Sequence, residues 1–129
     1  MGLVNGKLLL ANPRRADLTI IETTALADSG AVYLCIPEHV RLQLQLEAIE
    51  TREVILADGS RREVPYVGPL HVRFKNRSCF VGALVLGDHV LLGAIPMEDM
   101  DLVIHPKTQL LNVNPLSPNI ACGIVKRAA

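Results

Sequence analysis

Residues 20–31 read Ile20-Ile21-Glu22-Thr23-Thr24-Ala25-Leu26-Ala27-Asp28-Ser29-Gly30-Ala31, an apolar, threonine-rich run that stops at a carboxylate followed by three small residues. Side chains branched at Cβ suit a strand, whereas Asp, Ser and Gly suit a turn, so the stretch predicts a strand over 18–27 ending in a tight loop. Asp28 is thereby held at a strand end beside free backbone N–H groups. No bulky side chain prevents the backbone from approaching it. Taken alone, Asp28-Ser29-Gly30 reads as ordinary turn sequence. Its surroundings change that reading.

Upstream, the apolar run 3–11 is separated from the first by Asn12-Pro13-Arg14-Arg15-Ala16-Asp17, which predicts two strands joined by a hairpin-like loop. Downstream, 32–36 is a short β-rich run, and Pro37-Glu38 opens a short helix over 37–44, because Pro is tolerated in the first helical turn. Residues 52–57 and 62–67 flank Asp58-Gly59-Ser60-Arg61. Asp-Gly is a strong hairpin signal because both residues tolerate positive φ, so a projecting hairpin is predicted here. A second pair of runs, 70–74 and 79–86, flanks the polar turn Lys75-Asn76-Arg77-Ser78.

Further on come the apolar run 90–93 and then Pro96 with Glu98, Asp99 and Asp101, predicting one or two helical turns with acids early, where the helix dipole favours them. Residues 102–104 return to strand. The segment from about 113 to 129 is expected to be an irregular C-terminal tail of a single domain spanning 1–129. Short strands, repeated turn signals and two brief helices predict an all-β fold, a small closed or partly closed barrel.

Composition narrows the function classes. Half of the 129 residues are apolar and 20% are charged, which excludes disorder and supplies one core. Thirteen basic side chains balance thirteen acidic ones, so no net field gathers phosphate. With two Tyr, two Phe and no Trp, base-stacking platforms are also missing, and no nucleic-acid partner is expected. No apolar run approaches the roughly 18 residues that cross a bilayer, so no membrane partner is expected either.

The start, 1–13, carries too few consecutive apolar residues for a signal peptide, and Gly6 stands where a myristoylation signal wants Ser or Thr. Cys35, Cys79 and Cys122 are odd in number and widely spaced, which argues for a reducing compartment, with cytoplasm as the expected location. His39, His71, His89, His105 and the three cysteines show no zinc-site spacing. No metal or other cofactor is expected. Ser29 lies outside any Gly-x-Ser-x-Gly elbow, and Gly82 and Gly87 form no phosphate loop.

The strand ending Leu26-Ala27-Asp28-Ser29-Gly30-Ala31, the Gly-bearing hairpin 54–60, and Val90-Leu91-Leu92-Gly93 before a short helix form an ordered set that turn chemistry alone does not explain. Over residues 25–104 this set resembles the retropepsin-like aspartic proteases, in particular their small free-standing prokaryotic versions. The resemblance implies that Asp28 is the catalytic carboxylate, that Ser29 braces it through a cross-subunit hydrogen bond, and that Gly30 permits the tight loop. It also implies that Ala31 borders the substrate, with Ala57, Asp58, Gly59 and Ser60 at or near a flap tip above it. Two departures bear on substrate preference: His105 stands where relatives often have Asp, and the flap lacks an aromatic residue.

Hydrolysis by this route needs one carboxylate to deprotonate a water and another, protonated, to polarise the scissile carbonyl. Two carboxylates roughly 3 Å apart share a proton because both cannot ionise together. No second Asp-Ser/Thr-Gly occurs in the chain, so the partner must come from a second copy. The expectation is a homodimeric aspartic endopeptidase acting on polypeptide. Two alternatives stand beside it. One is a catalytically inactive retropepsin-like dimerisation or peptide-binding module. The other is an unrelated monomeric barrel with Asp28 in a surface turn.

Overall fold

The computed structural model describes residues 3–125; Met1 and Gly2, which the N-terminal reading included, and the last four residues of the expected tail lie outside the described residues. Strand β1 (Val4–Ala11) turns Val4, Leu8 and Leu10 inward and pairs antiparallel with β2 (Ile21–Ala27), whose inward residues are Ala25 and Ala27. The period-2 alternation is what buries one face of each strand. Strand β3 (Leu34–Ile36) leads into helix α1 (Glu38–Gln43), with Pro37 just before the first helical residue.

The predicted hairpin is present and larger than expected, with β4 (Glu47–Ile55) and β5 (Arg61–Phe74) joined by 56–60. The runs 62–67 and 70–74 belong to one 14-residue strand. Gly68-Pro69 bends that strand where its pairing register shifts, and beyond the bend it leaves β4 and joins β1. Strand β6 (Arg77–Val85) follows a turn at Lys75-Asn76, so Arg77 belongs to a strand and not to the predicted four-residue turn.

Strand β7 (Leu91–Leu92) lies between β2 and β3, parallel to β2. The order β1-β2-β7-β3-β6-β5 returns to β1 through Leu9–Arg73 and Leu10–Val72, which closes a six-stranded barrel. β4 hangs from β5 outside the circuit. The fold is therefore mostly β, a closed barrel with two short helices.

Helix α2 (Ala94–Asp99) corrects the sequence reading. It starts at Ala94 with Gly93 as its cap, so Pro96 is its third residue and Glu98 and Asp99 fall at its C-terminal end, not in its first turn. β8 (Leu102–His105) pairs with β9 (Leu110–Val113), so the irregular segment begins at Asn114. The core is aliphatic, built around Leu8, Leu10, Leu34, Ile36, Leu70 and Leu92, with Phe74 as its one aromatic ring. Among the described residues no helix is long and apolar enough to cross a membrane.

The carboxylate of Asp101 helps to tie down the segment after β9. Asp101 accepts hydrogen bonds from Asn114 Nδ2 at 3.0 Å, from Cys122 N at 2.9 Å and from the Ser117 hydroxyl. The Ser117 hydroxyl, the Cys122 N–H and Asn114, in that order, hold the Asp101 carboxyl far below its usual range, at about 2. Arg77, only 3% exposed, donates to the carbonyl oxygens of Met100 (3.1 Å) and Ser117 and lies 3.6 Å from Asp101 Oδ2. The sequence places Arg77 in a polar turn; these nonlocal carbonyl partners are what draw it inside.

Candidate active site

The two motifs that end in Gly-Ala meet in space. β2 and β7 run parallel with Leu26 opposite Leu91 and Ala27 opposite Leu92, and Leu26 N donates to Val90 O at 2.9 Å. Asp28 N continues the ladder to Leu92 O at 3.0 Å. Beyond Gly93, Ala94 N donates to Ala31 O at 2.8 Å and Ile95 N to Val32 O at 2.9 Å. The loop carrying Asp28 is therefore gripped on both sides by the Leu91-Leu92-Gly93-Ala94 segment.

Within the loop, Gly30 N donates to Asp28 Oδ1 at 2.8 Å, and Ala31 N to Asp28 O at 3.1 Å. A Cβ at Gly30 would stand 3.1 Å from Asp28 Oδ1, a tight contact that glycine avoids. Gly93 is constrained more tightly: a Cβ there would fall 2.8 Å from Tyr33 N and overlap the Tyr33 carbonyl oxygen. Asp28, Ser29 and Gly30 are exposed.

Asp28 opens onto a cleft of about 570 Å³. The Asp28 loop contributes Gly30, Ala31 and Val32, and the β4 hairpin contributes Val54, Ile55, Leu56 and Ala57. Of the residues expected at the site, the structure gathers Asp28, Gly30, Ala31 and Ala57 around this space. Ser29 sits beside Asp28 but does not line the cleft, and Asp58, Gly59 and Ser60 stand at the hairpin tip beyond it.

The tip is built as its sequence predicts. Gly59 has φ +85°, and Ser60 donates its hydroxyl (2.6 Å) and N–H (2.9 Å) to Asp58 Oδ1, which holds that carboxyl below the usual range. Leu56 and Ser60 close the turn through Leu56 N to Ser60 O at 2.8 Å.

Several lining residues are not placed at the cleft by the sequence alone. Tyr33, Cys35, Leu84, Leu86 and Leu91 make the cleft largely apolar. Their alternation within strands was visible, but which face of the barrel they meet depends on nonlocal pairing. Burial pushes the Cys35 thiol up, which keeps it neutral and poorly nucleophilic. Glu53 is the other carboxylate on the cleft, and Arg61 engages it at 2.7 Å. All three cysteines are free thiols, Cys35 and Cys79 buried and Cys122 exposed. Among the described residues no group of three or more His, Cys, Asp or Glu side chains is placed to hold a metal ion.

The site therefore offers an exposed carboxylate whose one oxygen is oriented by a backbone amide, facing an apolar cleft bordered by a hairpin. That combination can bind an extended chain and supply one half of an acid–base pair. Against known proteins, the chain matches no protein-family model and no curated protein.

Proposed function

We propose that the chain is one subunit of a homodimeric aspartic endopeptidase of the retropepsin-like type, with Asp28 of each copy forming the catalytic dyad. One observation carries the reading: Leu26-Ala27, which lead into Asp28-Ser29-Gly30, pair in parallel register with Leu91-Leu92, and Asp28 opens onto a cleft bordered by the hairpin that carries Asp58-Gly59. An unrelated barrel with Asp28 in a surface turn has no reason to bring these three segments together.

In this reading, Asp28 and its symmetry mate hold one proton between them. The ionised carboxylate takes a proton from water as that water attacks the peptide carbonyl, and the protonated one donates to the carbonyl oxygen. Collapse of the tetrahedral intermediate returns a proton to the leaving amine. Glu53, the other carboxylate on the cleft, is engaged by Arg61, and in this reading the second carboxylate of the dyad is Asp28 of the second copy. Ser29, exposed next to Asp28, is free to hydrogen-bond across the two-fold axis. Activity follows a bell-shaped dependence of kcat/KM on pH, with both limbs belonging to the coupled pair. Free thiols fit a reducing compartment such as the cytoplasm.

The test is cleavage of unfolded polypeptide by wild-type protein and by Asp28→Asn, with sedimentation of both. Asn keeps the acceptor for Gly30 N and removes the base, so dimerisation should persist while turnover falls by at least about 100-fold. Cleavage by Asp28→Asn equal to wild type, or activity that tracks a monomer, rejects the shared dyad. A wild-type dimer that cleaves nothing identifies the inactive module instead.

A further inference from the structure

The sequence contains two Tyr and two Phe, and three of these four rings lie outside the main barrel core. Tyr33, Tyr66 and Phe80 line a groove of about 430 Å³ next to the Asp28 cleft, together with Ile95, Arg52 and Asp99. Phe80 is 64% exposed and Ile95 44%. Phe80 and Ile95 thus leave apolar surface exposed between the charged Arg52 and Asp99.

Each ring is held in place before anything binds. Phe80 stacks on His71 with centroids 4.6 Å apart and planes 18° apart. Tyr66 lies over Gly82, where a Cβ would come within 2.7 Å of Tyr66 Cε2, and meets Tyr33 edge-on at 6.3 Å. The Arg52 guanidinium sits 3.8 Å above the Tyr66 ring and is itself held by Glu50 at 3.2 Å. A surface ordered in advance loses little entropy on binding.

The groove continues the cleft. Tyr33 lines both, and β4 runs from one to the other: residues 53–57 border the cleft and Arg52 borders the groove. β4 is the end strand of the barrel sheet and, among the described residues, pairs only with β5, so its other edge offers backbone groups to an added strand. A polypeptide added along that edge keeps step with β4, as extended peptides do when they join a sheet.

We propose that the groove is a remote subsite of the Asp28 cleft. It receives an aliphatic or aromatic side chain of the polypeptide substrate, about three to five residues from the bond held at Asp28. This rests on the peptidase reading. Phe80 and Ile95 provide the apolar contact, and Arg52 with Tyr66 forms the wall nearest the cleft.

The test is digestion of a random-sequence dodecapeptide mixture by wild type and by Phe80→Ser, with cleaved bonds read by mass spectrometry. In wild type, cleaved peptides should be enriched several-fold in Leu, Ile, Phe or Tyr at one position three to five residues from the bond. In Phe80→Ser that enrichment should vanish, with KM raised and kcat retained. Wild-type cleavage indifferent to those positions overturns the subsite and leaves the peptidase reading standing, whatever the fate of the variant. No cleavage of any peptide by wild type overturns both. If wild type sediments as a dimer and folded Phe80→Ser as a monomer, the groove is a contact between copies and the subsite is rejected.

Discussion

Gly93 packs against the backbone of Tyr33, with no space between them for a side chain: a Cβ on Gly93 would fall 2.8 Å from Tyr33 N and overlap the Tyr33 carbonyl oxygen. The neighbouring atoms are backbone, not the far end of a side chain, so they cannot swing aside. This contact fixes the distance between the segment that follows Asp28 and the segment that follows Leu92.

Gly93→Ala should accordingly destabilise the fold by about 1–3 kcal/mol, the usual range for forcing a methyl group into a packed site. It should also disturb Asp28, because Ala94 N and Ile95 N hold the backbone at Ala31 and Val32. Urea titration reads the first effect and peptide turnover the second. An unchanged midpoint would mean that the two segments are not packed as described.

Gly59→Val is predicted to act the other way, on turnover more than on folding. Gly59 sits at φ +85° with no atom of the described residues within 4 Å of a Cβ position, so an added Cβ meets no clash and the main cost is the left-handed backbone, about 1–2 kcal/mol. The hairpin relieves it by reshaping its tip, which moves Ala57 at the cleft. Gly59→Asn, which tolerates this conformation better, should retain more activity. Peptide kinetics unchanged in Gly59→Val would remove the hairpin from the site.

Asp101 ties stability to acid pH. Its folded pKa, about 2, lies below the ordinary value of 3.8, so the folded state binds a proton less readily than the unfolded one. The stabilisation is complete above pH 4 and is lost as pH falls through about 2. Asp101→Asn should therefore lower the melting temperature at pH 7, and the difference from wild type should shrink in strong acid. Hydrogen exchange at the Cys122 amide, which donates to Asp101 Oδ2 in wild type, should accelerate in the variant. Equal protection in the two proteins would refute the role given to Asp101.

Local chemistry made part of this molecule legible. The apolar runs 3–11 and 18–27, the Asp58-Gly59 turn and the sequence around Asp28 each predict their own structure from a few neighbouring residues. The failures share a cause, which is that pairing partners are distant in sequence. Gly68-Pro69 reads as a break between strands, yet β5 continues through it because its two halves serve different partners, β4 and β1. Arg77 reads as a turn residue because its partners, the carbonyls of Met100 and Ser117, lie far along the chain. The acids of α2 read as first-turn residues because Pro96 suggests a helix start, whereas the helix begins at Ala94 with Gly93 as its cap. The aromatic groove draws from one to three residues from each of several elements and leaves no local signature.

The buried Arg77 also sets an order of events during synthesis. A growing chain that has emerged as far as Leu92 already holds every strand of the barrel circuit. Its Arg77 still lacks both carbonyl partners, because Met100 and Ser117 have not yet appeared, and a guanidinium without partners stays in water. Strand β6, which begins at Arg77, is thus left unanchored at that end until the later segment arrives. The nascent protein should pass from a protease-sensitive barrel to a resistant one only when Ser117 clears the ribosome. Ribosome-bound chains stalled with Met100 or with Cys122 as the last emerged residue would reveal the step, and equal protease resistance in the two would disprove it.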